Sequence, residues 1–233
     1  MRMAPTTRLE NRDRLTDEIK AVARRHLAEQ GSAALSLRAV AREVGLVSSA
    51  VYRYYPSRDD LLTALIIDAY DAIGAAAEDA LAANHRRGMI PRWMATSDAI
   101  RAWALAHPHE YALIYGSPVP GYAAPVDTVD PAARVPTTLL RIVVDGVVAG
   151  EISTAGPPPT MPRPVRADFA ELRRLAAPGV PDAVLSRALI AWSQLFGAIS
   201  LEMFGHMHNV IHDYDAFFTV QMRRTAEFLA TGT

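Results

Sequence analysis

Two short helices separated by a glycine stop constrain this chain more than any other feature. In SLRAVAREVGLVSSAVYRYYPSRDD, residues 36–60, the side chains Leu37, Val40, Ala41 and Val44 recur at helical spacing. Gly45 then ends the helix, because glycine enters the left-handed region without a steric penalty. After a short turn, Ser48 or Ser49 is placed to cap a second short helix running through Ala50, Val51 and Tyr52. Two such helices joined by a glycine-containing turn predict a helix-turn-helix. The second helix crowds Ser48, Ser49, Tyr52, Arg53, Tyr54 and Tyr55 together, with Arg58 just beyond. Hydroxyls and guanidinium groups are the donors that reach phosphates and base edges. Tyrosines can also be core residues with a polar tip, and for Tyr55 both readings stay open.

The surrounding stretch, LTDEIKAVARRHLAEQGSAALSLRAVAREVGLVSSAVYRYYPSRDDLLTAL, resembles the DNA-binding domain of the Tet repressor (TetR) family of transcriptional regulators. The resemblance spans residues 15–70 and rests on the concurrence of Gly31, Gly45, Tyr52, the aromatic pair after it and Pro-Ser-Arg. It implies that the helix entered at Ser36, a plausible N-cap, lies across the DNA backbone with its N-terminus near a phosphate. Arg38 then falls where a base or phosphate contact is made; the plain alternative is a solvated arginine. Residues 48–54 become the recognition helix, with Ser48, Ser49, Ala50 and Arg53 as candidates for reading bases. Tyr52 and Tyr54 would hold the backbone, and Arg58 would be a phosphate anchor. Val47 stands where the family often has serine, which would push Ser48 into the capping role. Serines discriminate bases poorly, so specificity is expected to lean on Arg38, Arg53 and DNA shape.

Charge distribution agrees with this without establishing it. Through Asp60 the chain carries eleven Arg and Lys against eight Asp and Glu, while the net charge of all 233 residues is −1. Arg2, Arg8, Arg12 and Arg14 suit a flexible arm over residues 1–11 that meets phosphates, or a tail whose charges are simply solvated. There is no cysteine, which excludes disulfides and thiolate metal sites and accords with a reducing cytoplasm. The N-terminus lacks the apolar run of a signal peptide. The apolar stretch 188–201 is shorter than the ~20 residues of a membrane span, so a buried helix is expected and no membrane partner.

The remaining pattern predicts an all-α chain. A first helix over 12–29 places Leu15, Ile19, Val22, Ala23 and Leu27 on one face. Ser57 and Asp60 have capping-box spacing before a long helix reaching Ala83, with Gly74 as a soft point inside it. By the resemblance, this helix carries ligand signals to the DNA-binding domain. Further helices are expected over 91–106, 108–115, 137–152 (with Asp130-Pro131 as an alternative point of entry), 168–176, from Pro181-Asp182 through Met203, and over 214–230, with proline-rich loops at 116–135 and 156–164. The division expected is a helix-turn-helix domain at 1–56 and a ligand-binding and dimerisation domain at 57–233. The last two long helices suggest a homodimer interface, the alternative being burial within one subunit. Trp192–Gly205, with WALAHPHEYALIYG, resembles a TetR-family C-terminal domain with a Trp-His-Gly signature, Phe196 replacing the histidine.

Trp93, Trp103, Tyr111, Tyr115, Trp192 and Phe196 are the candidate walls of a pocket for an unidentified small-molecule effector, or plain core. Glu202, inside an apolar helix, calls for Arg101 or Arg141 as a partner unless it faces solvent. His208 and His212 share a face only if their helix persists, and neither they nor His206 make a convincing metal site. No nucleophile elbow, phosphate-binding glycine loop or zinc-protease motif occurs, and no cofactor is expected. The function expected is a ligand-responsive, homodimeric regulator of transcription acting on double-stranded DNA. A helical binding protein or enzyme with merely structural N-terminal helices is the alternative.

Overall fold

The computed structural model describes residues 8–155 and 160–232, so Arg2 and residues 156–159 of the second proline-rich loop lie outside the described residues. Among the described residues all regular structure is helical. The chain forms two compact units: residues 1–69 with 108–129, and residues 70–107 with 130–233.

The first unit starts with α1 (Arg8–Gln30), longer than expected, so the segment 8–11 is helix rather than free arm. Its buried face carries Ile19, Val22, Ala23 and Leu27, and Gly31 follows at φ +77°. Helix α2 (Leu37–Glu43) buries Leu37, Val40 and Ala41, and Ser36 accepts a 3.4 Å bond from Ala39 N at its N-cap. Gly45, at φ +73°, closes α2: Leu46 N–H donates to Ala41 O at 2.8 Å and Gly45 N–H to Arg42 O at 3.3 Å. These crossed bonds satisfy carbonyls that the helix end leaves open, and they require a left-handed residue at that point. Helix α3 (Ser48–Val51) packs on α2, and α2 on α1. The first half of α4 (Arg58–Ala83) buries Leu61, Leu62, Leu65 and Ile66. Helix α6 (Pro108–Tyr115) packs against α1 and buries Tyr111 completely. The compact unit therefore takes in more chain than residues 1–56.

The second unit contains the rest of α4, then α5 (Met89–Ala106), α7 (Val129–Val148), α8 (Arg163–Ala176), α9 (Asp182–Met203) and α10 (Tyr214–Thr231). Helices α5, α9 and α10 pack on one another. Helix α7 begins beside the alternative Asp130-Pro131 entry rather than at 137, and so runs through the end of the first proline-rich stretch. Pro131 falls in its first turn, where no N–H partner is needed, and Pro136 deletes a single intrahelical bond. A strong apolar stripe (Val135, Leu139, Ile142, Val143) buries enough surface to keep the helix continuous.

Helix α9 has the length and composition of a bilayer span, yet it buries Val184, Leu185, Leu195 and Ile199 against its neighbours. It also buries Arg187, whose guanidinium donates to Leu229 O at 2.8 Å and to Ser153 O. Burial depresses the Arg187 pKa. Glu202 near the end of α9 meets Arg101 of α5 in a two-pronged pair, both bonds 2.7 Å. The same guanidinium reaches Asp215 at 2.8 Å and lies 5.0 Å over the Phe218 ring, so one arginine joins α5, α9 and α10. Helix α9 stops at Met203 and the chain then turns, which removes the helix face that His208 and His212 needed in order to act together.

Candidate functional site

In the first unit, the sequence folds so that α3 is short and presented outward. Val47 is its N-cap, with extended backbone and no side-chain cap bond, because valine has no acceptor. Ser48 and Ser49 therefore do not cap it; both are exposed. After Val51 the backbone tightens: Arg53 N–H donates to Ala50 O at 3.2 Å and Tyr54 N–H to Val51 O at 2.9 Å. This i to i+3 pattern swings Tyr52 and Arg53 outward and Tyr55 inward. Tyr52 is 42% exposed, whereas Tyr55 is 7% exposed and joins the core. Burial, reinforced by Asp68 and Asp17, pushes the Tyr55 hydroxyl up to about 12.

Arg38, Arg42 and Arg53 are exposed. Arg38 and Arg42 lie four apart on α2 and share a face, a repeat that the sequence reading overlooked. The lysine and arginines nearby are held by acids: Lys20 and Arg24 by Asp68 (3.1 and 2.5 Å), and Arg25 by Glu43, which also bonds the His26 ring. Those two partners, Arg25 foremost, hold the Glu43 carboxyl below its usual range. Free positive charge in this region thus falls on α2 and the α3 turn.

Ser36 caps α2 as expected. Two expectations change here. Ala50 is 6% exposed with its methyl in the core, so it offers nothing to a base edge. Arg58 is an internal tie: Nε donates to Leu35 O at 3.2 Å, Nη2 to Ser32 O at 2.7 Å and Nη1 to Asp59 at 3.1 Å. Tyr54 is half-buried.

Two cavities of the second unit meet at α7. The larger, about 740 Å³, is charged: Glu78, His85, Arg92, Asp130, Arg134, Arg141 and Asp145 line it. Arg92 is paired with Asp145 at 2.5 Å, and Arg134 with Glu78 and Asp71. The smaller, about 280 Å³, is walled by Trp93, Pro136, Leu139, Leu140, Val143, Leu172, Leu185, Ala188 and Trp192 among others. Ala133 and Thr137 of α7 line both.

Of the six aromatic candidates, Trp93 and Trp192 therefore share one cavity. Phe196 sits edge-on to Trp192 at 6.2 Å and outside that wall. Trp103 stacks on His107 at 5.0 Å, and Tyr111 pairs with Tyr115 at 5.2 Å in the other compact unit; none of these lines either cavity. The aliphatic wall was missed; its signal was the α7 stripe obscured by Pro136.

Comparison with known proteins bears on this arrangement. Residues 19–65 match the family described as bacterial regulatory proteins, tetR family, and residues 93–225 match the Tetracyclin repressor-like C-terminal domain. The chain belongs to the TetR family. It is 39% identical over 230 residues to the HTH-type transcriptional regulators Mb1846 of Mycobacterium bovis and Rv1816 of Mycobacterium tuberculosis, covering 96% of this chain and 95% of each relative. The crystal structure of the regulatory protein SCO4313 superposes with a TM-score of 0.75 at 35% identity, covering 94% of this chain and 98% of the other. As a TetR-family member the chain is a DNA-binding transcriptional regulator rather than an enzyme. In TetR terms, α2 and α3 are the helix-turn-helix, and α4 continues from that unit into the second.

Proposed function

We propose that this TetR-family regulator is a homodimeric, effector-responsive repressor acting in the cytoplasm on a two-fold-symmetric operator. The observation that carries the DNA contacts is the exposed set Arg38, Arg42, Ser48, Ser49, Tyr52 and Arg53 on α2 and the α3 turn. Arg38, Arg53 and the two serines are assigned to base edges, and Tyr52, Tyr54 and the α2 N-terminus at Ser36 to the backbone. With only one helical turn in α3, few side chains reach bases, so DNA shape contributes to selectivity.

Dimerisation is assigned to α9 and α10. The outward side of α9 keeps Ile190 (53%) and Leu201 exposed, eleven residues apart and so on one face, and α10 keeps Val220 (58%) exposed. Gly197, on the same side of α9, leaves open space for a close neighbour. Two copies would then present α3 to successive major grooves, about 34–36 Å apart or a multiple. An effector bound in the second unit lowers operator affinity if it binds better to a state with the wrong spacing.

Selection of duplexes from a random pool by the purified chain tests this. A two-fold-symmetric motif is expected; a half-site motif or no enrichment at low salt would refute it. A reporter assay separates repressor from activator.

A further inference from the structure

One exposed side chain at the start of α3 has no polar group to offer. Val47 is 71% exposed and stands directly before the exposed pair Ser48 and Ser49. Its position follows from the turn. Gly45, at φ +73°, ends α2, and Val47 then takes an extended backbone (φ −64°, ψ 140°) rather than a helical one. Its side chain therefore leaves the inward face that Val51, four residues on and 0% exposed, occupies in α3.

Valine has two disadvantages there in the free protein. An isopropyl group left in water gains nothing from burial, and a side-chain acceptor at this N-cap would satisfy an open N–H of α3. Local preferences that fail together are expected at functional positions.

In a helix-turn-helix, the first residues of the second helix meet base edges in the major groove. Those edges carry donors and acceptors, and one feature that a hydrocarbon can read: the C5-methyl of thymine. Against the polar edges of guanine, adenine or cytosine, the same side chain would displace water from atoms it cannot bond. We infer that Val47 is a specificity-determining residue whose isopropyl group packs on a thymine methyl in each half of the operator. This rests on the reading that α2 and the α3 turn meet DNA, and it adds a base identity that the neighbouring serines, poor discriminators, do not supply.

Uracil pairs as thymine does and lacks the methyl, which makes the test. The full chain is titrated by fluorescence anisotropy onto the duplex selected from the random pool, with each thymine replaced in turn by 2′-deoxyuridine. One thymine per half-site is expected to lose about fourfold in affinity, the effect of one buried methyl. Replacing the symmetric pair together should cost roughly fifteenfold, since distant sites add. In Val47→Ser and in Val47→Ala that loss should disappear, while both variants still bind the duplex and melt cooperatively. A symmetric motif with no methyl-sensitive thymine overturns the inference and leaves the DNA-binding face standing. So does a methyl effect that persists undiminished in both variants. Enrichment of no duplex at all overturns the inference and the DNA-binding face together.

Discussion

Replacing Gly74 with alanine sets two effects against each other, and the packing around it decides which wins. Alanine in a helix interior is favoured over glycine by about 0.8–1.0 kcal/mol, so a glycine in the middle of α4 reads as a weak point. In the structure, however, a Cβ at Gly74 would lie 2.8 Å from Arg134 Cβ and 2.9 Å from Arg134 Nε. The first of these atoms belongs to the root of the side chain, so no rotamer change relieves it; α7 itself must retreat from α4. Retreat also pulls on a clasp in which Arg134 donates to Glu78 at 2.9 and 2.6 Å and to Asp71 O and Oδ1 at 2.9 and 2.8 Å. Overpacking of this kind costs about 1–3 kcal/mol. The partly exposed ion pairs add about 0.2–1 kcal/mol each. Subtracting the propensity gain leaves Gly74→Ala destabilised by about 0.5–4 kcal/mol, or roughly 1–16 °C in Tm for a chain of this size. Urea unfolding with an unchanged m-value is the assay. A Gly74→Ala protein stabilised by the full propensity term would refute the close approach of α7 to α4.

The other predictions are simpler. Arg38→Ala should weaken operator binding by about 1–3 kcal/mol and lower the salt slope by about one, measured by anisotropy at several salt concentrations. Val47→Ser should stabilise the first unit by about 0.5–1 kcal/mol in thermal unfolding, because serine supplies the missing α3 cap. Glu202→Gln leaves the Arg101 charge with a weaker partner in a partly buried place and should cost about 1–3 kcal/mol in urea unfolding. Tyr55, protonated up to about 12 when folded and to about 10 when unfolded, stabilises the fold below pH 10 and loses that contribution as pH rises through 12. Tyr55→Phe should therefore remove up to about 1.4 kcal/mol per pH unit of alkaline destabilisation between those limits, read from denaturant midpoints.

Elements marked by a local stop or cap were legible in the sequence. The end of α4 at Ala83 and the bounds of α6 at Pro108 and Tyr115 follow from breaking and starting signals that act within a few residues. Gly31 and Gly45 were readable because a left-handed residue has few substitutes. What escaped depends on tertiary packing. Asp130-Pro131 marked an entry to α7, but the choice between it and 137 is set by how much apolar surface the helix buries, which outweighs its prolines. Ala50 points inward as part of the face that α3 packs on its neighbours, and Tyr55 points inward because the backbone tightens after Val51, a change of less than one turn. The aromatic candidates scattered because large rings are equally at home in any core, and nothing in their spacing assigns Tyr111 and Trp93 to different compact units. Gly74 misled for a related reason: an absent side chain gives no hint of the neighbour that occupies its place.

Arg58 has a consequence for mutational mapping. Its guanidinium fork braces two main-chain oxygens in the connection between α1 and α2, so a substitution there disturbs the platform on which α2 stands. A screen scored by loss of repression would rank it beside Arg38 and Arg53 for an unrelated cause. Ionic strength tells them apart: the counterion number stays constant when Arg58 is changed and the melting point falls. Lysine, which keeps the charge but cannot span both oxygens with one planar group, would fail at this position nearly as badly as alanine.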